Sequence, residues 1–188
     1  MALREILTSE HPALRQKAKR VKKVDASLQK LIDDMIETME DAPGQGLAAP
    51  QIGVGLRVIV IDAKPGVIED EEKEEPVKLQ LVNPEIIEKS GEQFGEEGCL
   101  SIPGYVGNVR RALNVTVKAW NRRGKEVKIK ASHNLARALQ HEIDHLDGIL
   151  YTDLLEKPED LFRLNKKGER IPVFEKQDSE KKQEPIPV

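Results

Sequence analysis

The segment of residues 140–148 constrains this chain more than any other stretch, because it places two histidines four residues apart. His141 is followed directly by Glu142, and His145 completes the spacing. On a helix, residues i and i+4 lie on one face, so both imidazoles can bind the same metal ion. Glu142 then lies within reach of a water at that ion, and because it is not needed as a ligand it is free to accept a proton.

The alternative is an ordinary solvated helix, but the surrounding residues favour the metal site. Apolar residues recur at helical spacing and define one face, namely Leu135, Leu139, Ile143 and Leu146. At about 100° per residue, Glu142 falls inside this apolar arc and the two histidines lie along its edge. An unpaired buried charge is costly, so a solvated helix would not direct a glutamate toward the core. A glutamate that takes part in metal chemistry would lie there.

The composition limits the class of protein. A length of 188 residues is typical of one domain with its own core. The net charge of -3 argues against nucleic-acid readout, and no apolar run reaches membrane-spanning length. Residues 1–7 lack the pattern of a signal peptide, and the single cysteine excludes a disulfide framework. We therefore expect a soluble, cytoplasmic protein, in which Cys99 is a buried small residue, a reactive thiol or a metal ligand.

The remaining pattern predicts an α+β fold, with antiparallel β-sheets packed around a central metal-bearing helix and another helix near the N-terminus. Asp25 is a candidate N-cap for that N-terminal helix, whose apolar stripe ends before residues 41–44. Residues 57–62 have the pattern of a buried strand. Two short strands are predicted at residues 79–82 and 85–88, on either side of an Asn-Pro pair.

A β-hairpin is predicted to lead directly into the metal helix. Residues 113–120 and 126–131 each alternate polar and apolar side chains, as strands with one wet face do. Ser132 can cap the following helix and Gly148 can end it.

The chain is predicted to divide into one domain, residues 1–165, and a charged, mobile C-terminal tail, residues 166–188. The acidic run at residues 64–75 is predicted to be a solvated surface loop. Neither the tail nor the acidic run contains a motif that points to catalysis.

Two histidines do not complete a catalytic metal site, which usually takes three protein ligands and leaves one position open. No histidine follows His145, and His133 lies two turns earlier on the same predicted helix, where it is poorly placed. Cys99 is the remaining candidate, because it is the only thiol and lies between glycines and prolines, where a loop can bend it toward a helix.

Three segments of the chain resemble, in the same order, the three signature motifs of the polypeptide deformylase family. They are residues 44–51 (GQGLAAPQ), residues 97–101 (EGCLS) and residues 140–145 (QHEIDH). One motif alone would be weak evidence, whereas three in order are specific, and the resemblance runs from the N-terminal region to about Asp153. Gln45 departs from the pattern, since the family usually has an apolar residue there. That departure concerns the polarity of the pocket rim and not the chemistry.

The resemblance implies a bound divalent ion with Cys99, His141 and His145 as its protein ligands. Ligand type alone favours zinc. The family, however, commonly works with Fe²⁺, which Zn²⁺, Ni²⁺ or Co²⁺ can replace, so we expect Fe²⁺ in the cell. A thiolate ligand also exposes such a site to oxidation.

The resemblance also implies roles for five residues around the ion. Glu142 is the implied general acid and base. The side-chain amide of Gln51 and the backbone N–H of Leu100 are the implied donors to the oxyanion. Gly46 is expected to line the substrate cleft, and Glu97 to brace the pocket.

The implied reaction is removal of the N-formyl group from the N-terminal formyl-methionine of newly synthesised proteins, with release of formate. The implied partners are formyl-Met nascent peptides and the ribosome near its exit tunnel, with no membrane. A formyl group is small, so specificity must come from the next side chain, and Leu139 or Ile143 could contribute to a pocket for methionine.

Two other functions stay open on the residues alone. The first is a metallopeptidase that cleaves internal peptide bonds, although no third histidine or glutamate motif follows the metal helix. The second is a structural Cys/His module that binds a partner. Structural sites are closed and typically use four ligands, whereas only three good candidates are found in this sequence.

Overall fold

A computed structural model of the chain describes residues 2–42, 44–63 and 77–174. These residues form two α-helices and nine β-strands, with antiparallel pairing throughout both sheets. The elements are, in chain order, α1 (Ala26–Asp41), β1 (Gly46–Ala48), β2 (Val58–Ala63), β3 (Val77–Ser90), β4 (Gln93–Gly98), β5 (Tyr105–Arg111), β6 (Asn114–Asn121), β7 (Glu126–Ser132), α2 (His133–Leu146), β8 (Leu161–Leu164) and β9 (Arg170–Pro172). This architecture confirms the predicted α+β class with antiparallel sheets. Within the described ranges, no helix is long and apolar enough to cross a membrane.

The larger sheet lies between the two helices and has five strands in the order β1-β2-β3-β6-β7. Strand β2 illustrates the position of the sheet between the helices, because the side chains of a strand alternate between its two faces. Ile59 and Ile61 pack in the cluster that contains the apolar face of α2, whereas Val58 and Val60 pack in the cluster that contains α1. All four side chains are fully buried, so the buried strand predicted from residues 57–62 is confirmed.

Helix α1 begins where the sequence predicts and ends one residue later than predicted, since the prediction ends the helix before Asp41. The Asp25 carboxylate accepts a hydrogen bond from the backbone N–H of Leu28 at 3.0 Å, which satisfies one of the free donors of the first turn. The helix extends to Asp41. Its apolar stripe is buried against the sheet, as Leu28, Leu31, Ile32, Met35 and Met39 show.

Strand β3 corrects the prediction of two short strands around the Asn-Pro pair. Both halves pair with β6, so the chain continues as one strand, with a register shift between Val82 and Glu85. Asn83 absorbs the irregularity with a φ of 53°. Its side chain accepts from Val21 N–H at 2.8 Å and donates to the Val21 carbonyl at 2.9 Å, which holds the shift in place.

Strands β6 and β7 form the predicted hairpin and lead directly into α2. Ser132 occupies the N-cap position of α2, but its side chain makes no capping hydrogen bond, so that part of the prediction is wrong. The His133 N–H donates instead to the carbonyl of Leu113 at 2.9 Å, which ties the start of the helix to the residue directly before β6. Gly148 follows the helix with a φ of 75°, and an added Cβ would lie 2.8 Å from the backbone of Arg15. Glycine therefore suits this helix end on both counts.

The smaller sheet has four strands in the order β4-β5-β8-β9. Strand β9 extends the described structure past residue 165, the end of the domain in the sequence prediction. Most of the predicted tail, residues 175–188, and the acidic run at residues 64–75 lie outside the described residues.

Candidate metal centre

Cys99, His141 and His145 converge from two separate elements. Cys99 directly follows β4, and both histidines project from α2. One ligand atom from each of the three lies within 4.8 Å of the others, and Cys99 Sγ is 3.2 Å from His145 Nε2. Ligands 2.0–2.3 Å from a tetrahedral ion are roughly 3.5 Å apart, so this group fits one divalent ion.

The helix buries its metal-site residues, as the apolar arc of α2 predicts. His141 is 8% exposed, Glu142 4% and His145 1%. The two imidazoles meet edge to face with ring centroids 4.9 Å apart, and Tyr151 stacks on His141 at 6.1 Å. Buried rings with neighbours on several sides have little freedom to turn, so the ligand geometry is set before an ion binds.

Glu97 fixes the orientation of the His141 ring. The imidazole Nδ1–H donates to Glu97 Oε2 at 2.9 Å, which leaves Nε2 available for an ion. Burial by itself would raise the pKa of Glu97, but hydrogen bonds from Arg111 and His141 lower it to about 2. The carboxylate is therefore ionised at neutral pH, and the structure places it against His141.

Two arginines that sequence analysis did not single out hold that carboxylate. Arg111 donates to both Glu97 oxygens, at 2.8 and 2.9 Å, and also contacts Asp144 on α2. Arg137 donates to Glu97 Oε1 at 2.9 Å. Neither arginine belongs to a motif with a recognisable spacing, but Arg137 precedes His141 by four residues, and that helical spacing was the one available signal.

Glu142 lies beside the three candidate ligands with one free oxygen. Its Oε2 is buried and has no hydrogen-bond partner among the described residues. Burial raises the pKa of Glu142 to about 7; the positive charge of His141 opposes the rise, and the charges of Glu97 and Asp144 add to it. A carboxyl group with a pKa near neutral can both accept and return a proton.

Gly46 on β1 packs against this carboxyl group. A Cβ added there would lie 2.8 Å from Cδ and 2.9 Å from Cγ of Glu142, closer than real Cβ atoms come. Only glycine therefore lets the strand approach Glu142, and the structure places Gly46 on the wall of the cleft.

Gln51 and Leu100 line the same cleft as Gly46 and Glu142. The buried Gln51 amide is held by the Ala48 N–H, which donates to Oε1 at 2.8 Å. Its Nε2 donates toward Cys99 Sγ at 3.5 Å and Ser101 Oγ at 3.2 Å. The backbone N–H of Leu100 has no acceptor in the part of the chain that the structure describes. Ser101, the last residue of the EGCLS motif, is fully buried, and its sequence context predicts no role for it.

The electrostatics around the ligands favour a cation. Burial would lower the pKa of His141, yet hydrogen bonds to Cys99 and Glu97 and the charge of Glu142 raise it to about 10. Burial and the charge of His141 lower the pKa of His145, so its imidazole is neutral. Anionic groups that favour a proton on one histidine also favour a metal ion in the same place, and metal binding displaces such protons.

Two of the three candidate ligands, Cys99 and His141, line a cleft of about 730 Å³. One wall comes from residues 44–46, and Gln45 is exposed there, so the rim of the cleft is polar at this point. The wall supplied by α2 is formed by Asn134, Arg137, Ala138, His141 and Glu142. Leu139 and Ile143, suggested from the sequence as pocket residues, are buried in the core against the sheet instead.

An α+β fold in which a helix carries the His-Glu-x-x-His pattern beside a cysteine loop and an open cleft defines a metal-dependent hydrolase. The family model for polypeptide deformylase matches residues 3–160. The chain therefore belongs to the polypeptide deformylase family, whose members remove the N-formyl group from the N-terminal methionine of nascent proteins. This confirms the family and the reaction that the three motifs imply.

Individual relatives agree with this assignment. The peptide deformylase of Thermomicrobium roseum is 53% identical over 156 residues, which cover 83% of this chain and 88% of the relative. A crystal structure of a peptide deformylase from Legionella pneumophila is similar with a TM-score of 0.74 and 50% identity, and the match covers 82% of this chain and 87% of the other. A peptide deformylase from Synechococcus elongatus, solved in complex with actinonin, has a TM-score of 0.73 and 38% identity over 81% of this chain and 79% of its own.

Proposed function

We propose that Cys99, His141 and His145 bind the catalytic ion of this deformylase and that Glu142 moves the proton. The single observation that supports this most strongly is the convergence of the three ligand atoms within 4.8 Å, beside a cleft that Cys99 and His141 line. The donor set of one thiolate and two imidazoles suits a borderline transition metal. We propose Fe²⁺ as the ion in the cell, with Zn²⁺, Ni²⁺ or Co²⁺ as substitutes, as the family resemblance implies.

The bound ion would polarise the formyl carbonyl and make water a better nucleophile near neutral pH. Glu142 Oε2, which has no other partner, accepts the proton of the attacking water and returns it to the nitrogen that leaves as a free amine. Gly46 leaves the space that the carboxyl group needs.

Gln51 and Leu100 are proposed to stabilise the negative charge that develops on the formyl oxygen. The Gln51 amide is buried and held from behind by Ala48, so it is preorganised, and the Leu100 N–H has no other acceptor among the described residues. One such donor is typically worth about 10²–10³ in rate. Glu97 acts from behind His141 and braces the pocket through its arginines.

We further propose that residues 1–165 form the catalytic domain and that the charged residues 166–188 lie outside it, apart from β9, which pairs with β8 in the smaller sheet. The family model, which matches as far as residue 160, supports the first part of this division. A cytoplasmic location is proposed because formylated nascent chains emerge from ribosomes there. Contact with the ribosome near its exit tunnel is proposed for the same reason.

The test is formate release from formyl-Met-Ala-Ser by the full chain loaded with Fe²⁺ without oxygen, or with Ni²⁺. We expect turnover that stops on chelation and returns when the ion is restored. Glu142→Ala should retain the ion and lose about 10²–10⁴ in kcat, because it removes the proton carrier and no ligand. Cys99→Ala should lose both ion and activity.

Three results would contradict the proposal. Full activity of Glu142→Ala would remove the proton carrier. Cleavage of the unformylated peptide Met-Ala-Ser at comparable rates would favour a metallopeptidase, and a tightly bound ion without any formate release would favour a structural module. Actinonin, bound in the related Synechococcus elongatus structure, provides a second probe. It should inhibit turnover in competition with the peptide.

A further inference from the structure

Residues 17–23, which precede α1, carry five basic side chains and no acidic one. Lys17, Lys19 and Lys22 are exposed, whereas Ala18 and Val21 between them are buried. The whole chain has a net charge of -3, so the positive charge of this segment is a local feature. A local excess of one sign of charge attracts a partner of the opposite sign.

The backbone of this segment is fixed to the body of the protein, although the segment is neither helix nor strand. The Lys19 N–H donates to the Gly55 carbonyl at 2.9 Å, and the Lys19 carbonyl accepts from the Arg57 N–H at 2.9 Å. The Val21 N–H donates to the side chain of Asn83 at 2.8 Å. The exposed lysines therefore project from a backbone that is already ordered, which lowers the entropy cost of binding a partner.

The turn between β6 and β7, residues 121–125, lies beside this segment. A Cβ added at Gly124 would lie 3.3 Å from Cγ2 of Val24, the residue that follows the segment. A second point of proximity is a small depression that both Arg20 and Lys118 line. The charges of these two residues are balanced by glutamates of β3 and β7. The cations of the segment and of the turn thus belong to one region of the surface.

Five exposed cations of this region have no hydrogen bond or ion pair from their side chains within the described part of the chain: Lys17, Lys19, Lys22, Arg123 and Lys125. We call these five residues the basic surface. None of them lines the cleft that holds the candidate metal ligands. A partner bound to the basic surface would therefore leave the cleft free for substrate.

The composition of the basic surface favours a nucleic acid over a protein or a membrane. Within the described ranges, the large exposed apolar side chains all lie outside residues 17–23 and 121–125. Protein interfaces typically depend on aromatic or apolar anchors, and segments that bind membrane surfaces depend on an apolar face. A phosphate backbone needs only cations, because most of its affinity comes from neutralising phosphates.

We propose that the basic surface binds the phosphate backbone of folded RNA without reading its bases. RNA is favoured over DNA because the deformylase reaction takes place on nascent chains, which are synthesised on an RNA-rich particle, and this choice rests on the proposed function. The basic surface contains no aromatic side chain on which unpaired bases could stack, so double-stranded regions are favoured over single strands.

The experiment measures the Kd of the full, metal-loaded chain for a fluorescently labelled RNA hairpin over a series of salt concentrations. The surface variant replaces the three lysines of the segment: Lys17→Gln, Lys19→Gln and Lys22→Gln. The matched control removes the same charge from three exposed lysines on either side of β8: Lys157→Gln, Lys166→Gln and Lys167→Gln. A turn variant combines Arg123→Gln with Lys125→Gln. Formate release from formyl-Met-Ala-Ser is measured for each protein.

We expect the surface variant to raise the Kd by about tenfold or more at about 0.1 M salt. The slope of log affinity against log salt should fall by about 2–3, close to one for each lost phosphate contact. The turn variant should show a smaller loss, because it removes two cations instead of three. The control should stay within about twofold of wild type. Formate release should be equal in all four proteins, because none of the replaced residues lines the cleft.

Equal losses in the surface variant and the control would overturn the inference, because binding would then follow the overall charge. Wild type that does not bind the hairpin would also overturn it, as would tighter binding to poly-glutamate or to phosphatidylserine vesicles. If the surface variant does not fold, the turn variant and the wild type decide. Failure of the proposed function would look different, since wild type would then bind the hairpin and release no formate.

Discussion

Two buried carboxylates, Asp34 on α1 and Glu97 on β4, are each held by two cationic side chains, but their surroundings differ. The cations at Asp34 are Arg4 and Lys30, whose side chains are 45% and 60% exposed. Those at Glu97 are Arg111 and Arg137, at 6% and 11%. The first cluster is closed by surface side chains, and the second is built only from buried ones.

The difference follows from the other groups that donate hydrogen bonds to each carboxylate. Asp34 also accepts from the Ala2 N–H at 2.9 Å, so its cluster fastens the N-terminal segment to α1. Glu97 accepts from His141, a proposed metal ligand, and its arginines join β4, β5 and α2. A surface cation can be replaced by water when it moves, whereas a buried one cannot, so the Glu97 cluster has to be complete to be stable.

The largest expected effect comes from Glu97→Ala. This variant leaves the guanidinium of Arg137 without a carboxylate and that of Arg111 with Asp144 alone, and we expect the free energy of unfolding to fall by about 3–5 kcal/mol. Urea denaturation of the metal-free protein measures it. Glu96→Ala is the matched control, because Glu96 is exposed and its cation partner, Arg170, is exposed as well. Equal losses in the two variants would end the distinction between buried and surface clusters.

A smaller and more specific effect is expected from Glu97→Gln, which retains the shape of the side chain and removes its charge. Carboxylates behind metal-binding histidines typically contribute about 10–100-fold in metal affinity, and we expect a loss in that range. Competition with a chelator measures the loss. Asp34→Asn makes the same chemical change at the other cluster and should leave metal affinity unchanged. A similar loss of metal affinity in both variants would show that the loss comes from a general decrease in the stability of the fold.

The smallest effect is a pH dependence at Asp34. Hydrogen bonds from Lys30 and Arg4 lower its pKa from 3.8 to about 2. The folded form thus binds this proton less tightly than the unfolded chain, so the stabilisation is complete above pH 3.8 and is lost as the pH falls through about 2. Urea midpoints of wild type and Asp34→Asn, measured from pH 7 to 2, should converge over that window. A constant difference between the two curves would argue against ion pairing as its cause.

The parts of the molecule that sequence analysis predicted correctly are those with a local signature. The i, i+4 spacing of His141 and His145, the Asp25 cap and the period-two alternation of the hairpin each depend on neighbours in the chain. Cys99 could be associated with the histidines because it was the only thiol, and the ordered motifs supported that association.

The parts that could not be predicted depend on distant contacts. Arg111 and Arg137 resemble any other arginines in the sequence, and their role becomes visible only when β4, β5 and α2 come together around Glu97. Leu139 was assigned to the pocket from its helix, but Arg137, two positions away, points about 160° from it at 100° per residue. The apolar face of α2 packs on the sheet, so the opposite face forms the cleft.

The cleft requires a residue without a Cβ at position 46, because the Glu142 carboxyl group packs directly against Gly46. One extra methyl group there would occupy the volume of the Glu142 carboxyl group, with its carbon 2.8 Å from Cδ. An alanine at this position would leave every reactive group in the polypeptide and still push Glu142, the proposed proton carrier, out of place. The position of the Glu142 carboxyl group in the cleft therefore depends on the absence of a Cβ atom at residue 46.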